Sequence, residues 1–420
     1  MTVADLSQSE ASSAASPPPR RLMAFEMETE GHHPGYVRNF AQAWVEHAVP
    51  GQLDFVVTPL FYQRHANVVE FVQKLQPNGV RIQPLSDSES AAMERISYLR
   101  YFKAWEYFCA YAKRLHADHA LLMYSDFFQL PAWLGRSSPV PYSAIYFRPT
   151  FHYRTFQTHA SEWREAWKAL RKRWLLARVL KDPQLRHLYC LDELAVDYIG
   201  NHFRSSTDIR PMADSFARYP SSPERQSALR EQLGIEAGRT VFCLLGVLDR
   251  RKGVRELLEC LPRVPAAQAE KLCLLLLGRV SADQAHVIRQ RVEQLNATQP
   301  LQVIQQDAYV PDHEVQHYYD LSDVILATYQ RHMGSSSALI RAALAGKPVI
   351  ASNYGLVGER VRRYRLGLTV DTENPAELAA AVTTMIREGA GERFDAVAAA
   401  ALAQAHSPAQ LAEDLKILVS

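Results

Sequence analysis

The sequence predicts an α/β protein of two doubly wound domains that face each other across a cleft. Three observations carry this expectation. The chain has 420 residues, more than the roughly 250–300 over which a single hydrophobic core keeps growing. Short apolar, β-rich runs alternate with helical stretches, which is the pattern of a parallel sheet covered by helices. That alternation runs twice, interrupted at 205–223 by a stretch rich in Ser, Pro and Asp with no sustained period.

The first round places strands at 22–27, 54–60, 80–84, 120–124, 143–147 and 187–191. Helices at 36–48, 66–74, 90–115 and 161–180 separate them. The second round places strands at 240–245, 272–277, 301–304, 324–327, 348–351 and 368–370. Its helices fall at 254–261, 282–295, 313–321, 335–345, 358–364 and 375–387. The expected organisation is therefore a tail over 1–20, a first domain over 21–204, a connection over 205–223, a second domain over 224–405 and a closing helix over 406–420. Right-handed βαβ units put both sets of strand carboxyl ends on one side, where ligands of open α/β sheets bind.

Composition narrows the partners. A net charge of +2 with 22% charged residues lacks the basic excess of a general nucleic-acid binder. The cysteines Cys109, Cys190, Cys243, Cys260 and Cys273 are widely spaced and mostly in apolar runs, which reads as buried free thiols suited to a reducing cytoplasm. No apolar run approaches the roughly 18 residues that span a bilayer. The first residues, rich in Ser, Ala and Pro, have neither a basic start nor an apolar core and read as a disordered tail.

In the second domain, the turn after strand 240–245 reads Gly246, Val247, Leu248, Asp249, Arg250, Arg251, Lys252, Gly253 and opens a helix. Glycines let backbone approach a ligand, and cations at a helix N-terminus form an anion site. The plain alternative is a solvated basic turn. His332, Met333, Gly334, Ser335, Ser336 and Ser337 lie between strand 324–327 and the following helix. Such an entry offers free N–H groups and hydroxyls to a phosphate, or simply caps the helix.

The segment 239–387 resembles the donor domain of the glycosyltransferases group 1 family. The residues that carry the resemblance are the Lys252-Gly253 pair after a strand-ending glycine, the run from Gln316 to Val324, the run from Ala345 to Ser352, and the run from Leu366 to Leu378. The resemblance implies the GT-B architecture of two Rossmann-like domains. It also implies transfer of a sugar from a nucleotide-diphosphate donor to an acceptor hydroxyl on a glycan, a lipid-linked molecule or a small molecule, with no metal and no cofactor beyond the co-substrate. The diphosphate would lie between Gly246 and Ser337, on Arg250, Arg251, Lys252, Gly334, Ser335 and Ser336. Two departures stand out. The arginine that follows the first glycine in the family is Val247 here, and the family's paired glutamates, which meet the donor sugar and the ribose, map onto Met333 and Arg341. Met333, Arg341 and Tyr309 are therefore the candidates on the nucleotide side. The loss of both carboxylates keeps open a non-catalytic GT-B scaffold that binds a glycan, a nucleotide or a partner protein, and, further off, an epimerase or phosphorylase.

In the first domain, Gly31, His32 and His33 follow the first strand. A histidine there would deprotonate an acceptor hydroxyl or hydrogen-bond the transferred sugar. Asp126, after the fourth strand, is either a cleft carboxylate or a cap, and Arg148 and His152, at the end of the fifth, are acceptor or phosphate candidates. Residues 161–181 place Trp163, Trp167 and Trp174 at helical spacing opposite Arg164, Lys168, Arg171, Lys172, Arg173, Arg178 and Lys181. This is either a core face with a solvated back or a peripheral contact with an anionic membrane, such as the inner face of a cytoplasmic membrane.

Overall fold

A computed structural model describes residues 20–94, 100–126, 131, 134–156 and 163–420. The tail expected over 1–20 lies outside the described residues except for Arg20. The chain forms two parallel sheets. The first contains β1 (Arg21–Glu26), β2 (Gln52–Val57), β3 (Val80–Pro84), β4 (His119–Leu122), β5 (Tyr142–Tyr146), β6 (Leu185–Cys190) and β7 (Asp208–Pro211), in the order β3-β2-β1-β4-β5-β6-β7. The second contains β8 (Thr240–Leu245), β9 (Leu272–Leu277), β10 (Gln302–Gln306), β11 (Val324–Ala327), β12 (Val349–Ser352) and β13 (Gly367–Val370), in the order β10-β9-β8-β11-β12-β13.

Both sheets reverse their winding at one point, between β1 and β4 and between β8 and β11. That reversal leaves a crevice at the carboxyl ends of the strands. The central strands read as continuous apolar runs because helices cover both faces. β9, Leu-Cys-Leu-Leu-Leu-Leu, is buried along its whole length, and β5 likewise. Cys190, Cys243, Cys260 and Cys273 are buried, Cys109 is partly buried, and all five are free thiols.

The boundary between domains differs from the sequence expectation. The stretch 205–223 is not all connection, because β7 lies within it and pairs with β6 through His187 and Asp208. β7 carries no apolar signal because it is a short edge strand whose four residues are half-buried or exposed. The helix expected over 90–115 is described as two segments, Asp87–Glu94 and Arg100–Arg114, and the residues between them lie outside the described set. The helix expected at 335–345 begins at Ser337, and the one expected at 358–364 begins at Gly355.

The chain crosses between domains twice, and the two crossings touch. Phe216 N–H donates to the His406 carbonyl at 3.1 Å, and Asp214 N–H donates to His406 Nδ1 at 2.9 Å. The closing helix, Pro408–Val419, then returns to the first domain. Its Leu411, Leu415 and Leu418 pack into the cluster built on Phe40 and Trp44. The last helix of the chain thus completes the core of the first domain.

Candidate functional site

The two winding reversals feed one cleft. From the first domain come His32 and Tyr36 after β1, and Phe147 and Arg148 after β5. From the second come Gly246, Val247, Arg251 and Lys252 after β8, and Tyr329 and the stretch 332–337 after β11. They enclose a cavity of about 500 Å³, within the range of small-ligand sites.

Lys252 is a buried cation of this cleft, 6% exposed. Its ammonium donates to the Leu245 carbonyl at 3.0 Å and to the Tyr329 hydroxyl at 3.1 Å. Gly246 makes room for it: a Cβ there would stand 3.2 Å from Lys252 Nζ. Asp249 accepts from Lys252 N–H and turns the chain. Gly253, at φ +68, permits an approach in which any Cβ would collide with the Thr328 carbonyl at 2.2 Å. Arg251 also lines the cleft, whereas Arg250, exposed on the far side of the same turn, does not. The tandem cations expected from sequence therefore divide, because a short 3₁₀ turn over Arg250–Lys252 points successive side chains apart.

Opposite lies the start of the Ser337–Ala345 helix. No side chain caps it, and the Leu339 N–H turns back to the Ser336 carbonyl at 3.2 Å, so the N–H groups ahead of Leu339 are left for an anion. The Ser336 hydroxyl donates to Tyr329 at 3.1 Å instead of capping. Burial opposes ionisation of the Tyr329 phenol, but Lys252, Ser336 and Arg251 outweigh it and lower its pKa. Gly334 and Ser335 line the same wall.

His32 lines the cleft as an exposed residue, with aromatic rings around it. It stacks with His33 at 4.7 Å and Phe147 at 5.0 Å, with Tyr36 edge-on at 5.4 Å. Burial, with His33 and Arg148 adding to it and Asp214 opposing, pushes its pKa down to about 4. The ring is therefore neutral at physiological pH, with a lone pair to offer.

Several sequence candidates sit elsewhere. His33 is buried behind His32, where its Nδ1 meets Glu26 Oε2 at 2.8 Å. Asp126 does not reach the cleft; it accepts from the N–H groups of Phe147 and Arg148 at 2.9 and 3.1 Å and fixes the end of β5. His152 is buried between the Pro149 carbonyl, 2.6 Å from Nδ1, and Asp192, 3.1 Å from Nε2. Tyr309 is 68% exposed on the outside of the second domain, and Gly31, at φ +70, shapes an open loop. Met333 does line the cleft, and it also packs against the cluster of Tyr153, Phe156 and Leu356 that joins the two domains. Arg341 lines the cleft as expected, but it is ion-paired to Asp312 and lies over the Phe216 ring at 4.4 Å.

Tyr329, Asp312, Phe216 and Arg360 were not legible as site residues. Tyr329 stands two residues past β11, a position that can be found only once the strand end is known. Among the described residues, no three His, Cys, Asp or Glu side chains gather in a way that could hold a metal ion.

Residues 225–401 match the family model described as glycosyl transferases group 1. The matched segment lies in the second domain, which is thus similar to a group 1 glycosyltransferase domain. The whole chain also has the GT-B fold, as comparison with solved structures shows. Anabaena HepE in complex with UDP aligns with a TM-score of 0.66 at 14% identity, covering 94% of this chain and 98% of that one. Sucrose-phosphate synthase from Thermosynechococcus elongatus aligns at 0.61 and 17%, covering 95% and 98%. WaaG, a glycosyltransferase involved in lipopolysaccharide biosynthesis, aligns at 0.57 and 11%, covering 95% and 99%. No curated protein sequence matches the chain. Lys252, Gly246 and the Ser335–Ser337 wall all lie in the matched segment, and His32 faces them from outside it.

Proposed function

We propose that this protein transfers a sugar from a nucleotide-diphosphate donor to an acceptor hydroxyl without a bound metal. The observation that carries the reading is the convergence of buried Lys252, Arg251 and the uncapped entry of the Ser337–Ala345 helix on one cavity opposite His32. Complexes of HepE with UDP and with UDP-glucose add support for a donor of this class.

In this reading the acceptor oxygen attacks the anomeric carbon, and the bond from that carbon to the diphosphate oxygen breaks. The bonding pair leaves with the diphosphate. Its growing charge is met by buried Lys252, by Arg251 and by the free N–H groups of the helix entry, all in place before the charge develops. The hydroxyl proton passes to the His32 imidazole. A diphosphate beside that ring supplies negative charge, which raises its pKa towards a value useful for a base.

A second cavity, about 340 Å³, opens on the other side of the loop after β1. It is lined by Phe25, Met27, Leu60, Met93 and Tyr101, with Glu28 and Arg100 at its rim. It suits the part of an acceptor that lies away from the reacting hydroxyl. The basic helix Trp163–Val179 leaves Trp167 and Trp174 exposed, which supports a lipid-linked acceptor met at an anionic membrane surface. Calorimetry with UDP, GDP and ADP tests the central claim. One of them binds, and sugar transfer or hydrolysis follows with its sugar conjugates; heat from none of the three removes the donor site and the reaction with it.

A further inference from the structure

Arg360 is a fully enclosed charged group, 0% exposed. It belongs to the Gly355–Arg363 helix of the second domain, yet most of its partners belong to the first. Its guanidinium donates to Glu193 Oε2 at 2.7 Å and, through Nε, to both Glu193 oxygens at 3.2 Å. It also donates to the Leu191 carbonyl at 2.7 Å. Both acceptors stand where β6 ends and the next helix begins. The remaining arm, Nη1, donates to the Ser335 hydroxyl at 2.7 Å, and Ser335 lines the cleft beside the helix entry.

Burial opposes the charge, but Glu193 outweighs it and raises the guanidinium pKa, so the group is a cation with its donors directed at two domains. Its surroundings are equally tight. Gly355, at φ +60, brings the start of the Arg360 helix so close to the His332 carbonyl that a Cβ would lie 3.0 Å away. Tyr153 and Phe156 from the first domain pack on Leu356 and Met333 from the second. A planar fork that satisfies several acceptors at once holds their relative positions in a way a point charge on a flexible stem does not.

We propose that Arg360 is a positioning residue. It fixes the Gly334–Ser337 wall of the anion site through Ser335 and ties that wall to the first domain through Glu193 and Leu191. The site would then be fully formed only when the two domains are in register. The nucleotide arm of the test rests on the diphosphate reading above, and the hydrogen-exchange arm does not.

The experiment compares Arg360→Met, Arg360→Lys, Ser335→Ala and the double variant Arg360→Met with Ser335→Ala, each first checked for cooperative melting. Without any ligand, amide exchange over residues 334–339 rises about tenfold or more in Arg360→Met, while exchange in β8 and β9 stays as in the parent. With UDP as probe, Arg360→Met and Ser335→Ala each weaken binding by about tenfold. The double variant is no weaker than the worse single one, and Arg360→Lys lies between parent and Arg360→Met. Unchanged exchange over 334–339 in a folded Arg360→Met protein overturns the proposal. So does a variant that melts earlier yet binds UDP as the parent does, or a double variant whose losses simply multiply. If the parent binds none of UDP, GDP and ADP, the donor reading fails, and the exchange measurement alone decides the role of Arg360.

Discussion

The Lys252 ammonium donates to the Tyr329 hydroxyl at 3.1 Å and lies 4.7 Å from the centre of the same ring. A lysine held this way is fixed by a phenol and a carbonyl, with no carboxylate among the described residues bonded to it, so its charge remains available to a ligand. Lys252 and Tyr329 stand on two different loops, and this contact joins them. Lys252→Met keeps most of the apolar stem and removes the charge. The expected result is a loss of UDP affinity of about a hundredfold or more, since hydrogen bonds to charged groups contribute about 1.5–3 kcal/mol each and a diphosphate accepts several. Calorimetry on the folded variant reads it. Near-parent affinity would place the anion elsewhere in the cleft.

The neighbouring histidines divide into two roles with opposite signatures. His32→Ala removes a ring that faces the cleft, so turnover falls by about a hundredfold, the usual scale of a proton-transfer group, while the melting temperature changes little. His33→Ala removes a partner of the Glu26 carboxylate, which is fully buried and, among the described residues, keeps the Glu28 N–H at 2.8 Å. Leaving a buried acceptor without its partner in this way costs about 1–3 kcal/mol or more. Scanning calorimetry paired with kinetics separates the two, and a reversed pattern would exchange the assignments.

How much of this was legible in the sequence follows from where each signal resides. The strands were readable because buried parallel strands are continuous apolar runs, as at Leu272–Leu277. β7 was not, since Asp208 to Pro211 form an exposed edge. Lys252, the Gly334–Ser337 wall and His32 were readable because glycine and helix-start chemistry are local. Asp126 and His152 share the residue types and the loop setting of true cleft groups, and only three-dimensional placement shows that their polar atoms are turned towards backbone and Asp192. Arg341 was legible as a cleft residue, but its Asp312 partner lies 29 residues away. Long-range pairings of this kind leave no local pattern, and Arg360 with Glu193, 167 residues apart, is another case.

His406 makes the domain crossing sensitive to acid. Burial, reinforced by Arg360 and opposed by Asp214 and Glu193, pushes its pKa down to about 4. Between pH 4 and the ordinary value of 6.5 the unfolded chain therefore binds a proton at this site that the folded protein does not. Stability rises with pH across that window and is lost as pH falls through it. His406→Gln keeps an acceptor for Asp214 N–H but has no proton to take up. The parent's melting temperature is expected to fall more steeply than the variant's from pH 6.5 to 4. Parallel curves would show that the ring is protonated in the folded state already.

The basic helix gives the last expectation. The spacing of Trp167, Leu170 and Trp174 is equally that of a core stripe, and in most globular helices such a stripe is buried. Here the three are 66%, 57% and 57% exposed, and Leu134 beside them is 56% exposed. Lys168, Arg171, Arg178 and Lys181 are exposed around them. Lys172 is the exception, turned inward to donate to the Arg148 carbonyl and the Thr150 hydroxyl at 3.0 Å each, which ties this helix to the cleft rim. Aromatic side chains at a bilayer interface with basic residues worth about 1 kcal/mol each near an anionic surface give a reversible attachment. Sedimentation with vesicles of phosphatidylglycerol and phosphatidylcholine should bring the parent protein down with the anionic lipid and leave it in solution with the neutral one. Trp167→Ser with Trp174→Ser should reduce the bound fraction by about tenfold at constant salt, with UDP affinity unchanged because neither residue lines the cleft. Equal sedimentation of parent and variant, or binding to both lipids alike, would return this face to the role of an ordinary solvated surface and remove the support it gives to a lipid-linked acceptor.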